Sequence, residues 1–365
     1  MDSGLSNCMI DIGDSLMKSG QANGDGPQLI SPMIIGQSIS DNSYLYGDEA
    51  MAKRAETRLT RLMKHGNVTD WDLMEKFLSE THKNKLKLDL ANNSVITSHS
   101  LNASRETKEK MIEMFFERFN VSSYYTILDS LLSIYSVGKV TGLVLDSGDQ
   151  ISSVVPIFDG NIVSYAQVTR KFGGTDLTSY LSSRMNVDDF TGKQIKEQFC
   201  RLRKVVSKNK MQIEDENSQS EENEQITNEV VLPDGSKVPF DESLLYSAEG
   251  MFRPQLINKT DAGIHEIVYE SLLKTDYDFR RDYVNNLVVT GGNTKFKGFN
   301  RKLEKELGCL LPSILKVNCH DYKDKLHSVW FGGSTICNLG TFQSMMISRQ
   351  EYEENGVSII NRKCV

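Results

Sequence analysis

Aspartate and glycine residues stand together at two turns between apolar runs. The first turn is Asp11-Ile12-Gly13-Asp14-Ser15, which follows Cys8-Met9-Ile10. The second is Asp146-Ser147-Gly148-Asp149, which follows Leu143-Val144-Leu145. Glycine lets a backbone N–H come close to a phosphate group, and aspartate can hold a hydrated cation beside it. The two turns therefore predict a site for a phosphate-bearing ligand and a divalent cation.

The elements that must position these turns are short buried hairpins, because each turn lies between two apolar runs. One such turn alone is more typical of an ordinary hairpin with a polar tip. Two similar hairpins in one chain favour a duplicated domain, with the hairpins facing each other across a cleft. The apolar run 287–290 leads into Gly291-Gly292 and then the helix-like Phe299 to Leu307. This third segment is also predicted to bring its backbone close to a ligand.

These segments resemble those of the actin family, the actins and actin-related proteins. The similarity extends over nearly the whole chain and includes FGGTDLTSYL (Phe172 to Leu181) and VVTGGNTKFKG (Val288 to Gly298). It is closest in the final SVWFGGSTICNLGTFQSMMISRQEYEENGVSIINRKC. The resemblance implies an α/β fold of the actin-like (actin/Hsp70/sugar-kinase) type, with two domains and a central nucleotide cleft.

The resemblance also implies domains that are discontinuous in sequence. The second domain would carry an outer lobe, and so would the first. The implied boundaries are 1-136 and 328-365 for the first domain with its small outer lobe at about 32-61, and 137-327 for the second domain with its outer lobe at about 173-259.

Apolar residues at helical spacing predict several helices. The predicted helices are Arg105 to Phe119, Tyr125 to Tyr135, Asp176 to Arg184 and Asp189 to Val206. The acidic segment at about 207-229 holds almost no apolar residues, so we expect a flexible surface loop there. A partner-binding element is the alternative for this segment.

Composition excludes several classes of function. The net charge of −7 argues against direct nucleic-acid binding, and no apolar run reaches the ~18 residues that a membrane span needs. The first 30 residues lack the apolar centre of a signal peptide. The six cysteines show no paired spacing, so reduced thiols and an intracellular location are expected. The scattered histidines do not predict a zinc site.

Most positions that the family uses to bind nucleotide are retained. By the resemblance, Asp11 and Asp146 would hold Mg²⁺ or Ca²⁺, and Lys18 would meet the β-phosphate of ATP or ADP as a point charge. Two buried carboxylates near each other cost several kcal/mol unless a cation compensates them. The other retained positions, in the loops and around ribose and base, are Gly13, Gly148, Asp149, Gly174, Lys193, Lys196, Glu197, Gly291, Gly292 and Phe296.

The departures cluster where the γ-phosphate would lie. Asp14 replaces a serine of the family, and Asp129 and Ser153 replace the glutamine and histidine at the hydrolytic positions. An aspartate ~4 Å from a phosphate charge costs about 4 kcal/mol at an effective dielectric constant of 20. We therefore expect ATP hydrolysis to be lost or very slow, which leaves open whether the chain is an enzyme. The remaining departures are Ser15, Gln150 and Leu326.

The surfaces used for assembly are changed in part. The loop between Gly36 and Gly47 is shorter than in actins, where it enters the next filament subunit. The polar Asn258-Lys259-Thr260 stands where actins carry an apolar plug, worth roughly 1.5–3 kcal/mol per large side chain. A weak homopolymer, or none, is expected. The positions that match the apolar partner groove of actin are Tyr135, Gly138, Gly160, Ile336, Leu339, Thr341 and Met345; packing of the C-terminal helices would explain the same residues.

Together these observations predict a divergent actin-related protein that acts as a structural or cytoskeletal subunit. Its expected partners are other actin-family or actin-binding proteins, in the cytoplasm and cytoskeleton. One alternative is an ATP-hydrolysing, filament-forming actin. Another is a scaffold subunit of a nuclear chromatin-remodelling complex, although no basic tail beyond short pieces such as Arg201-Leu202-Arg203-Lys204 supports nuclear import.

Overall fold

The structure, a computed structural model, describes residues 7–91, 93–203, 229–231, 235 and 237–364. These residues form nineteen strands and thirteen α-helices. The strands are β1 (Asn7–Ile12), β2 (Leu16–Gln21), β3 (Leu29–Pro32), β4 (Ile34–Ser38), β5 (Tyr44–Tyr46), β6 (Thr57–Arg61), β7 (Met63–Lys64), β8 (Asn67–Val68), β9 (Ser94–His99), β10 (Ser123–Leu128), β11 (Gly142–Ser147), β12 (Ser152–Phe158), β13 (Asn161–Ile162), β14 (Val168–Arg170), β15 (Glu229–Val231), β16 (Lys237–Pro239), β17 (Leu287–Thr290), β18 (Cys319–His320) and β19 (Ile347–Ser348).

The helices lie between and after these strands. They are α1 (Asp48–Ala52), α2 (Trp71–Glu80), α3 (Arg105–Glu113), α4 (Asp129–Ser136), α5 (Gly174–Met185), α6 (Asp189–Phe199), α7 (Glu242–Leu245), α8 (Ile264–Lys274), α9 (Arg280–Asn285), α10 (Phe299–Leu310), α11 (Ser328–Cys337), α12 (Arg349–Asn355) and α13 (Ile360–Lys363). Helices α2 and α3 each continue into a π-helical turn, Thr81–Leu86 and Met114–Arg118.

Two six-stranded sheets hold the two predicted hairpins. In the first sheet the strand order is β19-β10-β9-β1-β2-β3, and in the second β13-β12-β11-β17-β18, with β14 also paired to β12. In both sheets the first strand of the hairpin also has a parallel neighbour, β9 beside β1 and β17 beside β11. The two hairpins therefore occupy equivalent places in their sheets.

The two sheets have separate apolar cores. The first core draws on residues 8–132 and 329–364, and the second on residues 143–307. Helix α11 closes the first core by lying against α4, where an added Cβ on Gly332 would come 1.8 Å from the carbonyl oxygen of Leu132. Only glycine permits so close an approach of the two helices. The exact domain boundaries stay a prediction.

The first outer lobe is small. It consists of a three-stranded sheet of order β5-β4-β6 with α1 beside it. The short connection between β4 and β5 lies in the segment that the resemblance predicts to be shortened. Ile39 within it is 71% exposed.

Two of the sequence-based helix predictions need correction. The segment expected to be helical from Tyr125 to Tyr135 is a strand, β10, up to Leu128, and helical only from Asp129. The strand is buried along its whole length between β9 and β19, so its apolar run carries no two-residue alternation. The helix predicted from Asp189 ends at Phe199 rather than near 206. The predicted acidic loop lies outside the described residues, apart from Glu229.

Two further expectations concern the chain as a whole. All six cysteines are free thiols, four of them buried. Within the described ranges, no helix has both the length and the apolar character needed to cross a bilayer.

Candidate functional site

The turns of the two hairpins face each other across a cavity of about 520 Å³. This volume lies within the roughly 300–1,000 Å³ typical of small-molecule sites. All of the positions predicted to bind nucleotide line the cavity except Gly174. The altered positions Asp14, Ser15, Asp129, Ser153 and Leu326 line it as well. The structure thus brings together residues from segments that lie up to about 300 positions apart in sequence.

Asp11 and Lys18 face each other in the first hairpin because the strand register pairs them directly. The Lys18 Nζ lies 2.6 Å from the Asp11 Oδ2, and both side chains are buried. The Ser98 hydroxyl on β9 donates to the other carboxylate oxygen of Asp11 at 2.8 Å. The ammonium of Lys18 is therefore held inside the cavity by a buried ion pair.

Asp146 and Asp129 crowd the same end of the cavity. Burial, followed by the carboxylate of Asp11, raises the pKa of Asp146 to about 6. The pKa of Asp129 is raised well above its ordinary value by burial and then by the charge of Asp146. The backbone N–H and hydroxyl of Ser130 donate to Asp129 at 2.6 and 3.2 Å. This crowding of carboxylates would be relieved by a divalent cation.

Asp14 and Ser15 at the tip of the first hairpin are both engaged. The backbone N–H of Gly66 donates to Asp14 Oδ1 at 2.7 Å, which holds the carboxylate in place. Burial outweighs this hydrogen bond and raises the pKa of Asp14. The Lys193 Nζ on α6 donates to the Ser15 hydroxyl at 2.8 Å, across the cavity.

The second hairpin turn is anchored on both sides. Asp149 accepts a hydrogen bond from Thr175 at 3.0 Å and forms an ion pair with Arg61 at 3.2 Å. The Gln150 side chain is buried and does not line the cavity; its carbonyl oxygen accepts from the backbone N–H of His65 at 3.0 Å.

Gly174 lies behind the cavity wall. Its N–H donates to the carbonyl of Gly148 at 3.1 Å, and its own carbonyl accepts from the Lys196 Nζ at 2.8 Å. An added Cβ would come 2.9 Å from that Nζ, so a larger residue would displace Lys196. Gly174 therefore positions a cavity lysine, and its own contact with a nucleotide stays a prediction.

The third segment comes close to the second hairpin, as its two glycines predicted. Gly291 has a φ of 94°, and an added Cβ would lie 2.3 Å from the Ser147 carbonyl oxygen. The Asn293 side-chain amide then donates to the Gly148 carbonyl at 2.6 Å. These contacts fix the edge of the cavity next to Asp146.

The sequence reasoning missed several lysines that line the cavity. Lys295 and Lys297 flank the predicted Phe296, and Lys325 enters from the connection before α11. Lys325 is already occupied, since its Nζ donates to Thr294 and Asn300 at 3.1 and 2.6 Å. The alternation of lysines around Phe296 was a readable signal for the first two, whereas nothing in the local sequence marks Lys325.

Most of the predicted partner-groove residues lie in or after the last turns of the two packed helices, α4 and α11, whereas Gly160 lies in the turn between β12 and β13. Tyr135 closes α4, and its hydroxyl would lie 3.2 Å from an added Cβ on Gly160. Leu339 and Met345 are 55% and 49% exposed, whereas Ile336 packs against the first core. Gly138 and Thr341 are exposed. The segment thus presents apolar side chains to solvent.

A sequence model of the actin family matches this chain in two overlapping parts, residues 3–193 and 187–365. Together the two matches take in both hairpins, the third segment and the C-terminal helices. The two-sheet α/β architecture with its central cavity is that of an actin-like fold. The chain therefore belongs to the actin family.

Proposed function

We propose that this protein is a divergent member of the family that acts as a structural, cytoskeletal subunit with little or no ATP hydrolysis. The observation that carries the proposal is Asp14, a half-buried acid held by the backbone N–H of Gly66 at the tip of the first hairpin. In the resemblance this is the place of a γ-phosphate. An ionised Asp14 there repels a third phosphate by about 4 kcal/mol at ~4 Å.

The rest of the cavity suits a nucleoside diphosphate with a cation. Asp11 and Asp146 are the carboxylates that would hold Mg²⁺ or Ca²⁺; burial and then the neighbouring Asp11 raise the pKa of Asp146, and a bound cation would favour its ionised form. Lys18 would contact the β-phosphate. Glycines 291 and 292 leave room beside the turn of the second hairpin. The bound cation would neutralise the carboxylates and phosphates together.

Hydrolysis needs a group that orients and activates water. The backbone N–H of Ser130 holds the Asp129 carboxyl in place, and burial raises its pKa. A protonated Asp129 cannot act as a base, and an ionised Asp129 adds a negative charge beside the phosphates. Ser153 lies opposite Asp146 in the strand pairing and carries only a hydroxyl. Neither side chain supplies what the family's glutamine and histidine would.

Ordinary self-polymerisation is disfavoured by the segment 258–260. The Lys259 Nζ lies 2.6 Å from Asp176 Oδ1, so the segment folds back on its own domain through an ion pair. The exposed Leu339 and Met345 instead offer an apolar surface to another actin-family or actin-binding protein in the cytoplasm.

The proposal is tested on purified protein. Bound nucleotide is extracted and identified, and phosphate release and pelleting are then followed together after ATP and Mg²⁺ are added. We expect no release above background and no pellet. The triple variant Asp14→Ser/Asp129→Gln/Ser153→His, which also removes the repelling acid, should raise phosphate release, whereas the matched control Asp278→Asn, at an exposed site, should not. Phosphate release coupled to filament formation by the unmodified protein would refute the proposal.

A further inference from the structure

Two buried or half-buried polar links cross the cleft, and both come from positions at which this chain departs from its family. The first link joins Gln150 of the second hairpin to the β7–β8 hairpin of the first half of the chain. The second joins Ser15 of the first hairpin to Lys193 of α6. We propose that these two links form a clasp that keeps the cleft closed when no nucleotide is bound.

The Gln150 link is two-sided. The side-chain oxygen accepts from the backbone N–H of His65 at 3.0 Å, and the side-chain nitrogen donates to the carbonyl of Met63 at 3.3 Å. Gln150 is 7% exposed, so water competes weakly for these bonds. Only a side chain with a donor and an acceptor on one end can satisfy both backbone groups.

The Ser15 link is a single hydrogen bond at 2.8 Å to a lysine ammonium. Bonds to charged groups are worth about twice those between neutral groups. The partners lie 178 positions apart in sequence, on opposite walls of the cavity. A third contact, the Arg61–Asp149 ion pair, spans the same gap, but Arg61 is largely exposed and adds little.

The physical consequence follows from how two-domain proteins close. A ligand that touches both domains usually supplies the free energy of closure. Here the chain itself bridges the walls, beside the cavity at Gln150 and across it at Ser15 and Lys193. The closed form is therefore populated before any ligand arrives, and a ligand that binds there changes the opening of the cleft little. Gln150 and its partners Met63 and His65 do not line the cavity, so the first link does not depend on whether a nucleotide binds.

The clasp is tested by measuring the width of the cleft. Spin labels are placed on Arg58→Cys and Ser183→Cys, one on each outer lobe, in a background in which the exposed Cys309 is Ser. Pulsed electron paramagnetic resonance then gives the distance distribution in EDTA without nucleotide and again with ADP and Mg²⁺. For the unmodified clasp we expect one narrow distribution, the same in both conditions.

Gln150→Ala removes the first link, and Ser15→Ala removes the second in a protein that keeps the first. Each should raise the open population in EDTA, by roughly five-fold for each hydrogen bond lost. The matched control Gln198→Ala, at an exposed position of α6, should leave the distribution unchanged. A wide distribution in the parent protein that narrows only with nucleotide would overturn the proposal. The proposal would also be overturned if Gln150→Ala and Ser15→Ala gave the same distance distribution as the parent protein.

Discussion

Replacing Lys18 by methionine removes one half of the buried ion pair inside the cavity. Methionine keeps the length of the side chain and loses the charge. Asp11 is then left buried beside Asp146 and Asp129, with only the Ser98 hydroxyl as a donor. Breaking a buried pair from one side typically costs about 3–5 kcal/mol. We expect Lys18→Met to lower the free energy of unfolding by about that amount.

The size of the effect can be followed by thermal unfolding in EDTA without nucleotide. For a domain of roughly 150–250 residues, 1 kcal/mol shifts Tm by about 2–4 °C, so the expected drop in Tm is about 6–20 °C. Asp11→Asn alone should lower the free energy of unfolding by less. Lys18 still has the Asp146 carboxylate nearby, and the charge of Lys18 already lowers the pKa of Asp146.

The double variant Asp11→Asn/Lys18→Met is decisive, because it removes both charges. It should recover most of the stability lost in Lys18→Met, with a coupling energy of more than 1 kcal/mol in the double-mutant cycle. If the two losses simply add, the pair contributes nothing as a pair, and the account of the cavity given above is wrong.

Three further variants test other parts of the structure. Burial lowers the pKa of His82 to about 4, so the parent protein loses stability as pH falls from 6.5 towards 4. His82→Gln has no such titration. The difference in unfolding free energy between parent and variant, measured in urea, should therefore be roughly 2.5 kcal/mol smaller at pH 4.5 than at pH 7.5. Lys302→Met removes the ammonium that lies 2.5 Å from the buried Glu249 carboxylate and should lower the free energy of unfolding by about 3–5 kcal/mol. Adding Glu249→Gln should restore most of that loss. A double variant as unstable as Lys302→Met would contradict this. Gly332→Ala should overpack the contact between α11 and α4, lower the free energy of unfolding by about 1–3 kcal/mol or more, and so lower Tm. Gly340→Ala should leave Tm unchanged, because an added Cβ there meets open space.

The parts of the fold that local patterns determine could be predicted from the sequence. Both hairpins, the Gly291-Gly292 turn and helix α5 follow from short apolar runs and turn residues. Strand β10 was mistaken for a helix because a buried strand and a buried helix show the same continuous apolar run. Periodicity cannot separate them when both faces are covered.

The site could be predicted only as a set of residues. The Asp11–Lys18 pair follows from the hairpin register, which the turn determines. The Gln150–His65 and Lys193–Ser15 contacts join residues 85 and 178 positions apart, and no local rule places such pairs side by side. The departures of Gln150 and Ser15 from the family were visible in the sequence, but what they contact was not.

The way α11 closes the first core has a consequence for synthesis of the chain. Five of the six strands of the first sheet are made early, yet Trp330 and Ile347, which complete its core, are made near the end. At about 5–20 residues per second, the ribosome needs roughly 10–40 s to pass from Leu132 to the residues that cover it. During that interval the apolar face around Met9 stays open while the second core, complete by residue 307, can already form. The growing chain therefore exposes apolar surface, on which nascent chains can associate, until the last residues emerge.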